Sequence, residues 1–166
     1  MTALARLDRF VARSERGVAV ALLVATVVIV VLQVFFRYVL NSSLGWSEEA
    51  ARYLFIWAAV LGFSSAVEAR RLFSFELIAH ALPPRGQQIC RVLFGLAAIA
   101  FLWVLVADGG KLVAGTLAQT SPAIGVPMGI PYAALPVGAV LIALHLLAQL
   151  IAPAPVPIRA HPDPIE

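Results

Sequence analysis

Residues 17–36, GVAVALLVATVVIVVLQVFF, run for 20 positions with no charge and a single amide, Gln33. As a helix rising 1.5 Å per residue, such a run covers about 30 Å, the hydrocarbon thickness of a bilayer. The stretch continues directly into Phe35-Phe36-Arg37-Tyr38 and offers no small-residue cleavage site. A secretory signal has an apolar core of about 7–15 residues followed by such a site, so the run reads as an uncleaved first membrane helix. The rest of the chain agrees. Of its 166 residues 61% are hydrophobic and 13% charged, against about 25% charged in soluble domains. That balance excludes a soluble globular domain, and disorder, which needs low hydrophobicity, is excluded with it.

Three further apolar stretches follow, and the spans are read at about residues 17–37, 48–68, 89–108 and 130–152. The second has a strictly apolar part, Tyr53 to Val67, that is too short alone, so Arg52 is expected to snorkel. The third is expected to end at Asp108-Gly109-Gly110-Lys111. The fourth contains Pro136, which removes a backbone donor and predicts a kink. Residues 1–152 thus form one all-α integral membrane domain of four transmembrane helices. Residues 153–166 carry five prolines and form an extended tail, which is expected to mark a separate polypeptide and not a fusion. Of the 12 arginines and lysines, nine fall on the side of the two termini and three on the other. The positive-inside rule then gives an N-in/C-in orientation.

The connections are not bland. Ser47 is positioned to cap the second helix, Glu48 and Glu49 to complement its dipole, and Arg52 to pair with either. Trp46 and Tyr53 suit an interfacial aromatic belt. The run can be a well-capped helix start, or a charged shelf on which a partner docks. Between spans two and three, Phe73, Leu77 and Ala81 recur at i+4 and end at Pro83-Pro84, which predicts a short interfacial helix resting on the lipid. The uncharged loop 113–129 is expected to pack on protein or dip into the interface.

The spans carry little that could do chemistry. No carboxylate lies near the middle of any of them, although such groups are the usual marks of an ion path. His145 is read as a lone histidine hydrogen-bonded within the bundle, and a His80–His145 haem pair has no supporting motif. Ser64 and Ser65 are read as packing or backbone-bonding serines. Ala21/Ala25, Gly62/Ala66 and Ala134/Gly138 are small-residue pairs that allow close helix contact. Cys90 stands alone, so neither an intramolecular disulfide nor a multi-cysteine zinc site is available. No catalytic or nucleic-acid motif is present, and no catalytic, cofactor or metal residue is assigned. The residues describe a non-enzymatic accessory subunit. An autonomous small transporter or a four-helix haem protein is the alternative.

The run from Gln33 through Arg37, Trp46-Ser47-Glu48-Glu49 and Arg52 to Phe55 resembles the signature of the small permease subunit (DctQ-like) of tripartite ATP-independent periplasmic (TRAP) transporters. Trp57 to Ala66, Leu82-Pro83, Gln119 to Pro127 and Tyr132 to Gly138 resemble its continuation. Leu72 stands where that pattern often has a histidine, which puts the role of segment 68–91 in question. The resemblance implies a bacterial inner-membrane subunit paired with a large multi-spanning permease and a periplasmic substrate-binding protein. Such systems take up small organic acids, such as dicarboxylates, keto acids or sialic acids, on an ion gradient. The small subunit would act as a scaffold without a substrate site of its own or a cofactor. On this reading Arg37, Trp46, Glu48, Glu49 and Arg52 form the structural and partner interface. Arg37 is expected to pair with Glu48 or Glu49 and to fix the angle between spans one and two.

Overall fold

The structure is a computed structural model that describes residues 3–69 and 83–151. The interfacial helix expected near 73–82 and the tail 153–166 lie outside the described residues. Five helices follow in order: α1 Ala3–Tyr38, α2 Ser47–Glu68, α3 Pro84–Thr116, the short α4 Gly129–Tyr132, and α5 Ala134–Ile151. Four helical segments, with α4 and α5 counted as one, are long and apolar enough to cross a membrane. The chain is therefore a four-span helical membrane protein.

Its interior is the inverse of a soluble core. Most buried positions are small or polar, among them Ala12, Ala19, Ala51, Ala58, Thr26, Ser64, Ser65 and His145, with Leu61, Val67 and Leu102 as larger apolar members. The large apolar side chains point outward, Trp103 being 71% exposed. In hydrocarbon there is no gain from hiding leucine, so close contact between small residues holds helices together.

On α1 the inward positions are Asp8, Ala12, Glu15, Ala19, Leu22, Thr26, Ile29, Gln33 and Phe36, with Val11 and Ala25 at their margin. The steps alternate between four and three, the spacing of a left-handed seam between two nearly aligned helices. α2 is the main neighbour of α1, and α5 packs against α2 on its other side. Of the three small-residue pairs, only Ala134/Gly138 is fully buried. There α5 crosses α2 so closely that a Cβ on Gly138 would overlap Cγ1 of Val60.

Two helices differ from the sequence reading. α1 begins well before residue 17, because the arginine-rich lead-in has no helix breaker and stays on the inward seam. α3 does not stop at Asp108-Gly109-Gly110-Lys111. It continues to Thr116, with Lys111 Nζ donating to Asp108 Oδ1 at 2.8 Å within one turn. Gly109 serves packing instead of termination: a Cβ there would lie 3.2 Å from Pro136 Cδ. A kink was expected at Pro136, and the helix pattern does change just ahead of it. The helix is interrupted at Ala133, between α4 and α5, where Pro136 supplies no amide to the carbonyl of Tyr132.

Candidate functional site

At one end of the bundle lie the close of α1, the start of α2 and the loop between α3 and α4. α1 ends at Tyr38; Asn41 takes a left-handed φ of 49° and the Ser42 amide turns back to the Phe36 carbonyl at 3.0 Å. The following α2 start is not capped as expected. Ser47 is fully buried and its hydroxyl donates backward to the Leu44 carbonyl at 2.6 Å, so it fixes the preceding turn instead of an α2 amide.

The two acids beyond it have different partners. Gln33 Nε2 donates to Glu48 Oε1 at 3.1 Å, bridging α1 and α2. Glu49 Oε2 accepts the backbone amides of Ala123 and Ile124 at 3.2 and 3.1 Å. Those amides belong to a tight turn in which the Gly125 amide donates to the Ser121 carbonyl at 3.0 Å and Gly125 takes φ 76°. Successive amides of such a turn point the same way and form a cradle for an anion. Tyr53 Oη lies 3.3 Å from Met128 Sδ, a second tie between α2 and the loop. Glu49 and Tyr53 thus tie the loop to α2, while residues 117–120 and 122–125 are exposed.

The expected pairing of Arg37 with Glu48 or Glu49 is corrected by this geometry. Among the described residues no ion pair joins them, nor does one join Arg52 to either acid. Gln33, one turn before Arg37 on α1, takes Glu48, and the loop amides take Glu49. Arg37 instead lines, with Gln33, Ser43, Leu44, Gly45 and Glu48, an open cleft of about 290 Å³. Arg37, Trp46, Glu48 and Arg52 are exposed, and Glu49 is half-buried.

A prediction arises here. Glu49→Ala leaves two amides without their charged acceptor. Loop docking is expected to weaken by about 1–2 kcal/mol, toward the low end for charged hydrogen bonds because the carboxylate is half-buried. Hydrogen exchange at Ala123 and Ile124 should speed up by about tenfold or more, and Glu49→Gln, which keeps an acceptor, should lose less.

The opposite end holds a cluster the sequence reading missed. His145 is 1% exposed; its Nδ1 lies 2.6 Å from Asp8 Oδ1, and its Nε2 lies 3.2 Å from both Glu15 oxygens. Glu15 is 5% and Asp8 17% exposed. His145 is hydrogen-bonded in the bundle as expected, but it is not alone. Both its ring nitrogens are engaged by carboxylates, which leaves neither free for a haem iron. Beside it Arg16 pairs with Glu68 at 3.7 Å, and Gln149 Nε2 donates to the Val67 carbonyl at 2.8 Å. The available signal was the seven-residue register of Asp8 and Glu15 with Ala12 and Ala19. Hydropathy hid it by ending the span at residue 17.

A family model described as "Tripartite ATP-independent periplasmic transporters, DctQ component" matches residues 26–155. A Haemophilus influenzae protein whose name assigns it as a TRAP transporter small permease is 28% identical over 145 residues, which cover 87% of this chain and 90% of that protein. The isethionate TRAP transporter permease protein DctMQ of Oleidesulfovibrio alaskensis is 31% identical over 147 residues. The sialic acid TRAP transporter permease protein SiaT of H. influenzae is 24% identical over 144. The last two are much longer, and the chain spans 23% of each.

Proposed function

The chain belongs to the DctQ component family of tripartite ATP-independent periplasmic transporters, and on that footing we propose that it is the scaffold of a secondary uptake system for a small organic acid. In this role it anchors a large multi-spanning permease in the bacterial inner membrane and faces a periplasmic substrate-binding protein. It holds no substrate site of its own. The names of its relatives, which specify isethionate and sialic acid, fit that class of substrate.

The observation that carries the reading is the shelf at the α2 start. Glu49 ties the α3–α4 loop to α2, and Gln33 ties α2 to α1 through Glu48. Three segments thereby form one platform. Arg37, Trp46, Glu48 and Arg52 are exposed on it. With the nine-to-three bias of basic residues, this platform faces the periplasm, where a soluble partner arrives. Mixed charges around an aromatic group suit a polar, reversible contact. The broad apolar flanks of α1 and α3 suit lipid and a large membrane partner.

The test is affinity capture of this chain from gently solubilised native membranes, followed by mass spectrometry. A multi-spanning permease in stoichiometric amount is the expected companion; recovery of the chain alone, or only as a homo-oligomer, sinks the scaffold reading. Arg37→Ala and Glu49→Ala are each expected to lower the recovered partner several-fold. Wild-type assembly and transport in both variants would remove these two residues from the interface.

A further inference from the structure

The cluster of His145, Asp8 and Glu15 lies far from the shelf and is not used by it. A neutral imidazole offers one N–H and one bare nitrogen, and an ionised carboxylate offers only acceptors. Here both ring nitrogens face carboxylate oxygens. Nε2 is 3.2 Å from Oε1 and Oε2 of Glu15 alike, so one N–H there can be shared between the two oxygens.

We infer that Asp8, Glu15 and His145 form a proton-binding site, in which an imidazolium bridges two carboxylates and fastens the first turns of α1 to α5. The three groups together then carry one negative charge. Release of the second ring proton to water leaves two negative charges and one ring nitrogen facing an acceptor without a hydrogen between them. That contact is repulsive, and the cost of unpaired buried charge falls on the α1–α5 junction. The proton is thus the clasp, and its departure loosens the lead-in of α1.

Other charged residues belong to the elements at this end. α1 brings Arg6, Arg9, Arg13 and Arg16, α2 brings Glu68, and Arg85 and Arg91 lie early in α3. Arg16 and Glu68 are paired with each other. α5 contributes no titratable group besides His145.

The test uses the full chain in lipid nanodiscs with ¹⁵N-labelled histidine, the signals of His80 and His161 being identified by His80→Gln and His161→Gln. Both ring nitrogens of His145 are expected to read as protonated at low pH, with one lost in a single step as pH rises. In Glu15→Gln the amide can donate to a bare Nε2, so the neutral ring is satisfied. The titration is then expected to differ from that of the wild type, and loss of the proton should no longer loosen the lead-in of α1. Asp8→Asn tests the same point from the other nitrogen if Glu15→Gln fails to fold. In the wild type, amide protection across Leu7 to Ala12, taken relative to the intrinsic exchange rate at each pH, should fall as the proton leaves. A bare His145 nitrogen throughout the wild-type titration, or the same titration in wild type and a folded variant, overturns the inference.

Discussion

His145→Leu is expected to destabilise the bundle by about 3–5 kcal/mol, the range for breaking a buried charge set from one side. Leucine fits the volume, so the loss comes from Glu15 and Asp8. Glu15 would remain buried on the α1 seam with no donor from α5. Thermal unfolding in detergent or nanodiscs should show the drop, and proteolysis should reach the first turns of α1. Replacing all three residues with leucine is expected to recover most of the stability, because an apolar set of similar volume is often neutral relative to a buried ion network. If the single and triple variants are equally unstable, the histidine's shape and not its charge pairing holds this end.

A change of sign is expected at Gly138. Gly138→Ala inserts a methyl into Val60 Cγ1 at the α2–α5 crossing. Overpacking of this kind costs about 1–3 kcal/mol, partly offset by alanine's helix propensity, about 1 kcal/mol better than glycine. In a Val60→Ala background the overlap is gone, since the added Cβ sits 3.5 Å from Val60 Cβ, an ordinary contact. The same substitution should then stabilise by up to about 1 kcal/mol. Unfolding of the four members of this double-mutant cycle measures the coupling. A destabilising Gly138→Ala in both backgrounds would mean that the glycine is needed for something other than the approach of Val60.

The four spans were legible because hydropathy and length leave one solution for an uncharged 20-residue run. The break ahead of Pro136 was legible for a local reason, a missing amide. Helix ends were not. The Asp108-Gly109-Gly110-Lys111 run carries the residues of a stop, yet Gly109 is there for contact with Pro136, a partner 27 positions away that no local pattern announces. The shelf residues lie at one end of the bundle, but their pairing was not legible. Choosing between Arg37 and Gln33 as the partner of Glu48 depends on the pitch of α1 against α2, which one-dimensional spacing does not carry. Asp8 and Glu15 were passed over because charged residues ahead of a span are usually solvated. They are held inside only because α5 brings a histidine to the same depth.

The way α3 is held has a mechanical consequence. Among the described side chains, its fully buried positions are Leu102, Gly109 and Thr116, all in its second half, and it packs mainly on α4 and α5. That half lies across the interruption of the fourth span like a splint: α3 meets α5 where Gly109 faces Pro136, and its end meets α4 where Gly129 faces Val113 and Leu117. The two pieces of the broken span are thereby held against one continuous helix, so a shift of either piece has to displace α3 as well.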